Sequence, residues 1–114
     1  MTDIEGEAAR LLWRHRLAGS VLDGLPPALR PANPAQGHAI QARLPAVAGE
    51  RVVGWKIAAT SQAGQAHINV DGPLAGRVLT SFVIDPRAAF SLAGNRMRVA
   101  EPEFAFRFAR GKSA

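Results

Sequence analysis

The apolar residues of this 114-residue chain change period partway along, and that change constrains the fold more than any single motif. Up to about Leu44 they recur at helical spacing, whereas from Arg51 onward they fall in short runs rich in β-branched residues. Ile4, Ala8, Leu11, Leu12 and His15 lie on one stripe of a first helix, which Gly19 is placed to stop. Asp23-Gly24-Leu25-Pro26-Pro27 and Arg30-Pro31 then break both regular periods. Asn33-Pro34 supplies an N-cap and a proline at the first helical position, which predicts a second helix to about Leu44 with Ala35, Ala39, Ile40 and Leu44 inward. Pro45 to Glu50 reads as a linker.

Val52 to Ala58 is a short apolar run consistent with a buried strand, with Lys56 as its lone charge. Thr60 or Ser61 caps a short helix over Gln62 to His67, and Asp71-Gly72-Pro73 makes a turn. Strands are expected near Gly76 to Leu79 and Ser81 to Ile84, followed by a break at Asp85-Pro86, a hairpin-type turn at Gly94-Asn95 and a long strand from Arg96 to Ala109. The fold class is therefore α+β, with N-terminal helices followed by a mixed β-sheet. Residues 1–48 form a helical lead-in and 51–110 the β-rich part of one domain.

Composition narrows the partners. Hydrophobic residues at 47% and charged ones at 20% are ordinary globular usage. The absence of cysteine excludes disulfides and thiolate chemistry and fits a cytoplasmic protein. Asp3, Glu5 and Glu7 open the chain without a long apolar run, so neither a secretory signal nor a membrane span is read. The net charge of +5 invites a nucleic-acid reading. The arginines that carry it are scattered rather than blocked, and the few aromatic residues do not interleave with them, so no nucleic-acid partner is expected.

The chemistry concentrates at Glu101-Pro102-Glu103-Phe104-Ala105-Phe106-Arg107-Phe108. In an extended strand Glu101, Glu103, Ala105 and Arg107 share one face and Phe104, Phe106 and Phe108 the other, which is suited to a core. Two carboxylates about 7 Å apart at their Cβ atoms suit one hard divalent cation, although two such ligands supply only part of an octahedral set. The competing reading is an exposed strand face, and Pro102 favours an edge because it cannot donate to a ladder. Lys56 has two readings as well. Buried among Val53, Trp55 and Ile57, it would have a lowered pKa useful in proton transfer; on an edge strand it simply faces solvent. Asp71 is a turn residue that becomes a general base if Lys56 lies nearby, while His15, His38 and His67 lack the spacing of a metal pair on one helix.

Read in order, Val53-Gly54-Trp55-Lys56-Ile57-Ala58-Ala59-Thr60-Ser61, Gly64-Gln65, Ile68 through Gly76, and Arg98-Val99-Ala100-Glu101-Pro102-Glu103-Phe104-Ala105-Phe106 resemble the 2-keto-4-pentenoate hydratase family of the fumarylacetoacetate hydrolase superfamily. Leu25-Pro26-Pro27 and Ala39-Ile40-Gln41 are similar to the helical lead-in of those enzymes. The resemblance implies a fumarylacetoacetate-hydrolase-like fold, Glu101 and Glu103 as ligands of Mg²⁺ or Mn²⁺, and Lys56 in the active site, with Asp71 as a second catalytic candidate. It implies a homo-oligomeric lyase that hydrates a 2-hydroxy-2,4-dienoate to a 4-hydroxy-2-oxo acid in aromatic-compound catabolism. A decarboxylase or hydrolase of the same superfamily is an alternative, as is an inactive remnant or a fragment that depends on an oligomer. Two departures stand out. Members of the family draw a third carboxylate ligand from a segment downstream of the Glu-Pro-Glu strand, so the chain is expected to be a truncated hydratase-like domain. Leu74 and Ala75 stand where many hydratases carry an acid after the turn proline. Arg51 and Arg77 are candidates to attract a dianionic substrate.

Overall fold

The computed structural model describes residues 2–111. Helix α1 spans Ile4–Ala18, with the Asp3 carboxylate accepting from the Gly6 N–H at 3.1 Å as its N-cap. A side chain at Gly6 would collide with that carboxylate, so the cap and the glycine belong together. Glu5 and Glu7 in the first turn and His15 and Arg16 in the last complement the helix dipole. Gly19 ends the helix in the left-handed conformation, as its position in the sequence predicts.

Helix α2 spans Pro34–Ala48, capped by the Asn33 side chain on the Gln36 N–H at 2.9 Å. It runs four residues past the expected end at Leu44 and carries Pro45 inside it. Proline forfeits one helical hydrogen bond there, but continuing the helix packs Val47 beside Ile40 and Leu44, and burial of that turn outweighs the loss. Ala8, Ala9 and Ile40 form the core between α1 and α2, with Leu29 and Leu44 beside them. The stripe is centred on the two alanines, which let the helices approach closely, and this leaves Ile4 and Leu12 largely exposed. Ala35 is exposed as well.

Strand β1, Val52–Ala58, pairs antiparallel with strand β2, Leu74–Leu79, and the short helix α3, Gln62–His67, lies between them in sequence. Ser61 caps α3 through its Oγ on the Gly64 N–H at 3.0 Å. Trp55 pairs with Arg77, Lys56 with Gly76 and Ala58 with Leu74; the ladder slips between Val52 and Gly54, so Val53 forms a bulge. Gln41 of α2 accepts from the Arg77 N–H and donates to the Ala75 carbonyl, both at 3.2 Å, which closes the outer edge of β2. Leu79 is fully buried.

The expected strand over Ser81 to Ile84 is instead a 3₁₀ turn, Thr80–Phe82. Glu50 takes the Ser81 N–H at 2.6 Å and its hydroxyl at 2.8 Å, while the Thr80 N–H bonds the Arg51 carbonyl at 3.1 Å. Those bonds turn the chain off the sheet and set Phe82 under the Arg16 guanidinium, 4.1 Å from the ring centroid.

The long strand expected over Arg96 to Ala109 is not formed. Among the described residues no backbone hydrogen bond joins 99–109 to another segment, and Pro102 removes one donor from any ladder. The phenylalanine face expected in the core is exposed: Phe104 is 100% accessible, Phe106 86% and Phe108 68%. The radius of gyration of 15.6 Å accordingly exceeds the roughly 13 Å of a compact domain of this length. The β part is thus a two-stranded antiparallel sheet with an extended tail, within an α+β chain. Among the described residues no helix is long and apolar enough to cross a membrane.

Candidate functional site

β1 presents its side chains alternately, so Trp55 and Ile57 point to one face and Lys56 to the other. Lys56 pairs with Gly76, and its neighbours on its own face of β1 are Gly54 and Ala58. The positions directly beside and opposite Lys56 therefore carry little or no side chain, with Val78 opposite Gly54 and Leu74 opposite Ala58 on its diagonals. Across this surface the tail brings two carboxylates to the lysine. Glu101 Oε2 lies 2.8 Å from Lys56 Nζ and Glu103 Oε1 2.5 Å from it. The three side chains are half-exposed, at 44% for Lys56, 62% for Glu101 and 48% for Glu103.

The electrostatics follow from that contact. The hydrogen bond to Glu101 and then that to Glu103 raise the Lys56 pKa above its ordinary value. This reverses the lowering expected of a lysine buried in an apolar strand: Lys56 is half-exposed, and its two anionic partners outweigh desolvation. The hydrogen bond from Lys56, with its charge, holds the Glu101 carboxyl below the usual glutamate range.

The two carboxylates reach one cationic atom, and two convergent hard oxygen donors fit part of the shell of a Mg²⁺ or Mn²⁺ ion. Among the described residues no group of three or more acidic or histidine side chains gathers at one point. The histidines are dispersed: His15 Nδ1 bonds Ser20 Oγ at 2.8 Å, His38 lines a groove and His67 closes α3.

Asp71 does not join this group. It sits exposed at the bend before β2 and is not a hydrogen-bond or ion-pair partner of Lys56. It lines an open groove of about 530 Å³ together with Pro34, His38, Asn69 and Leu74. Arg77 is likewise turned away from Lys56. Its guanidinium stacks 4.7 Å over the Trp55 ring and its Nη1 donates to Gln41 Oε1 at 3.0 Å, on the opposite face of the sheet.

The cluster of Trp55, Arg77 and Gln41 is absent from the sequence reading, because nothing local announces it. It depends on the register that sets Trp55 opposite Arg77 and on the seating of α2 against the edge of β2. The small residues next to Lys56 have a visible signal, the Gly54-x-Lys56 and Gly76 pattern, which becomes informative once the pairing is known. No protein-family model, no curated protein and no solved structure matches this chain.

Proposed function

We propose that the chain carries the lysine and the first two metal ligands of a divalent-metal-dependent hydro-lyase acting on a 2-hydroxy-2,4-dienoate. The observation that supports this reading is the convergence of Glu101 and Glu103 on Lys56, whose direct cross-strand partner is Gly76. The family resemblance of the same residues points the same way.

In this reading Glu101 and Glu103 would hold Mg²⁺ or Mn²⁺, which when bound would supply Lewis acidity favouring an enolate. Lys56, the titratable side chain of β1 beside the two carboxylates, is the group placed to serve proton transfer. Ketonisation takes the proton from the 2-hydroxyl and puts one on the terminal carbon of the diene, leaving a conjugated 2-oxo enoate. Water then adds its hydroxyl to the far carbon of the remaining double bond and its proton to the near one, giving the 4-hydroxy-2-oxo acid. Lys56 would serve the proton transfers from its place beside the carboxylates. A related decarboxylase or hydrolase would use the same carboxylates and differ in the groups around them. The test is loss of the dienoate chromophore by the 114-residue chain with Mg²⁺ or Mn²⁺. Turnover abolished by Glu103→Ala supports the reading, and turnover unaffected by that change, or absent altogether, opposes it.

The exposed Phe104, Phe106 and Phe108 favour a second reading, in which the chain does no chemistry alone and covers this stripe by self-association. Sedimentation of the protein beside a Phe104→Ser, Phe106→Ser variant separates the two. A single monomeric species for both removes the second reading.

A further inference from the structure

The atom at which Glu101 and Glu103 converge is Lys56 Nζ, so the lysine stands where a cation bridging the two carboxylates would stand. An ammonium with 2.5 and 2.8 Å contacts and a divalent ion with carboxylate ligands at slightly over 2 Å cannot share that point. We infer that Lys56 is an internal competitor for the divalent cation: it holds the acidic pair together in the metal-free chain and leaves the point between the carboxylates when the metal binds. This rests on the metal reading above and adds to it an order of events.

Three features make the exchange workable. Lys56 is half-exposed, so its head can swing without unpacking the sheet. Its cross-strand partner is Gly76 and its neighbours along β1 are Gly54 and Ala58, so no bulky side chain stands directly beside or opposite the stem, and Leu74 and Val78 flank it only diagonally. Glu101 and Glu103 sit on a segment with no backbone hydrogen bonds to the sheet among the described residues, so the carboxylates can readjust to a shorter metal distance. Pairing with Lys56 therefore pre-gathers two carboxylates whose mutual repulsion would separate them, and the same contact sets a threshold that the metal must overcome. Once displaced, the lysine stays tethered on β1 beside the ion, within reach of whatever the ion binds.

The test is Mn²⁺ binding to the full chain, followed by the loss of the free-ion electron paramagnetic resonance signal, in the unaltered protein, in Lys56→Met and in Arg107→Gln. Arg107 is exposed, four residues from Glu103, and has no carboxylate partner among the described residues, so its replacement removes a nearby positive charge without touching the contact. The expected result is that Lys56→Met binds Mn²⁺ about five- to tenfold more tightly, in keeping with an exposed cation shared by two carboxylates, and that Arg107→Gln does not. Equal or weaker binding by Lys56→Met, or equal tightening by Arg107→Gln, overturns the competition while leaving the metal site standing. No binding by the unaltered protein or by Lys56→Met overturns the metal reading itself.

Discussion

Gln41 grips Arg77 at two atoms, its Oε1 accepting from the Arg77 backbone N–H at 3.2 Å and from the guanidinium Nη1 at 3.0 Å. With the Gln41 Nε2 bond to the Ala75 carbonyl, the side-chain amide does for β2 what a third strand would do. Gln41→Ala leaves a partly buried N–H and C=O without partners and frees the guanidinium that stacks on Trp55. Chemical denaturation is expected to show a loss of about 1–3 kcal/mol with an unchanged slope against denaturant. Gln41→Glu keeps both acceptor contacts to Arg77 and loses the donor to Ala75, so it is expected to fall between the two.

That clamp shows where reading the sequence stops. Caps and stops are local, and Asn33, Ser61 and Gly19 act as their positions predict because the chemistry of each lies within a few residues of it. The β-texture of Val52 to Ala58 is legible for the same reason, but the burial expected of this strand is not found: Val53, Trp55 and Ile57 are exposed, because burial depends on what packs over the sheet and not on the run itself. The tail was misread because alternation describes a strand only if a neighbour supplies hydrogen bonds, and no pattern within Arg96 to Ala109 says whether one does. At the site, shared direction along an extended segment predicted that Glu101 and Glu103 would act together. That the cation between them is Lys56, forty-five residues earlier in the chain, depends on tertiary placement.

Gly19 and Gly94 meet backbone to backbone, which fastens the turn at Leu92 to Asn95 onto the end of α1. A Cβ at Gly19 would lie 3.2 Å from the Gly94 Cα, and one at Gly94 3.1 Å from the Gly19 Cα; both residues have positive φ, 63° and 76°. Gly49 ends α2 with a φ of 68° but has open space around it, so Gly49→Ala carries the backbone penalty alone, about 1–2 kcal/mol. Gly19→Ala is expected to cost more than Gly49→Ala in thermal unfolding, and the difference measures the contact. Equal costs would show that the turn is not packed on the helix.

The acidic pair is expected to hold the tail in place. Replacing both carboxylates, Glu101→Gln with Glu103→Gln, removes both salt bridges from Lys56 to this segment, which has no backbone bond to the sheet among the described residues. ¹⁵N relaxation is expected to show order parameters for residues 99–108 falling toward the values below about 0.6 that mark flexible backbone, with β1 and β2 unaffected. A tail that stays as ordered as before would mean that its position depends on other contacts.

The pH dependence of the same contact has a definite sign. The Glu101 pKa is depressed by Lys56, so its contribution is present above the ordinary glutamate value of 4.5 and is lost as pH falls through the lower, folded value. The Lys56 pKa is raised, so its contribution is complete below the ordinary lysine value of 10.5 and is lost only as pH climbs through the higher, folded one. Between those limits the ion pair is at full strength, and acid is the side on which it opens first in practice. A ¹³C titration of the Glu101 carboxyl in the metal-free protein is expected to give a midpoint below 4.5 that moves upward in Lys56→Met. A midpoint indifferent to that substitution would mean that the 2.8 Å contact does not persist in solution, and the case for Lys56 as the resident cation of the acidic pair would fall with it.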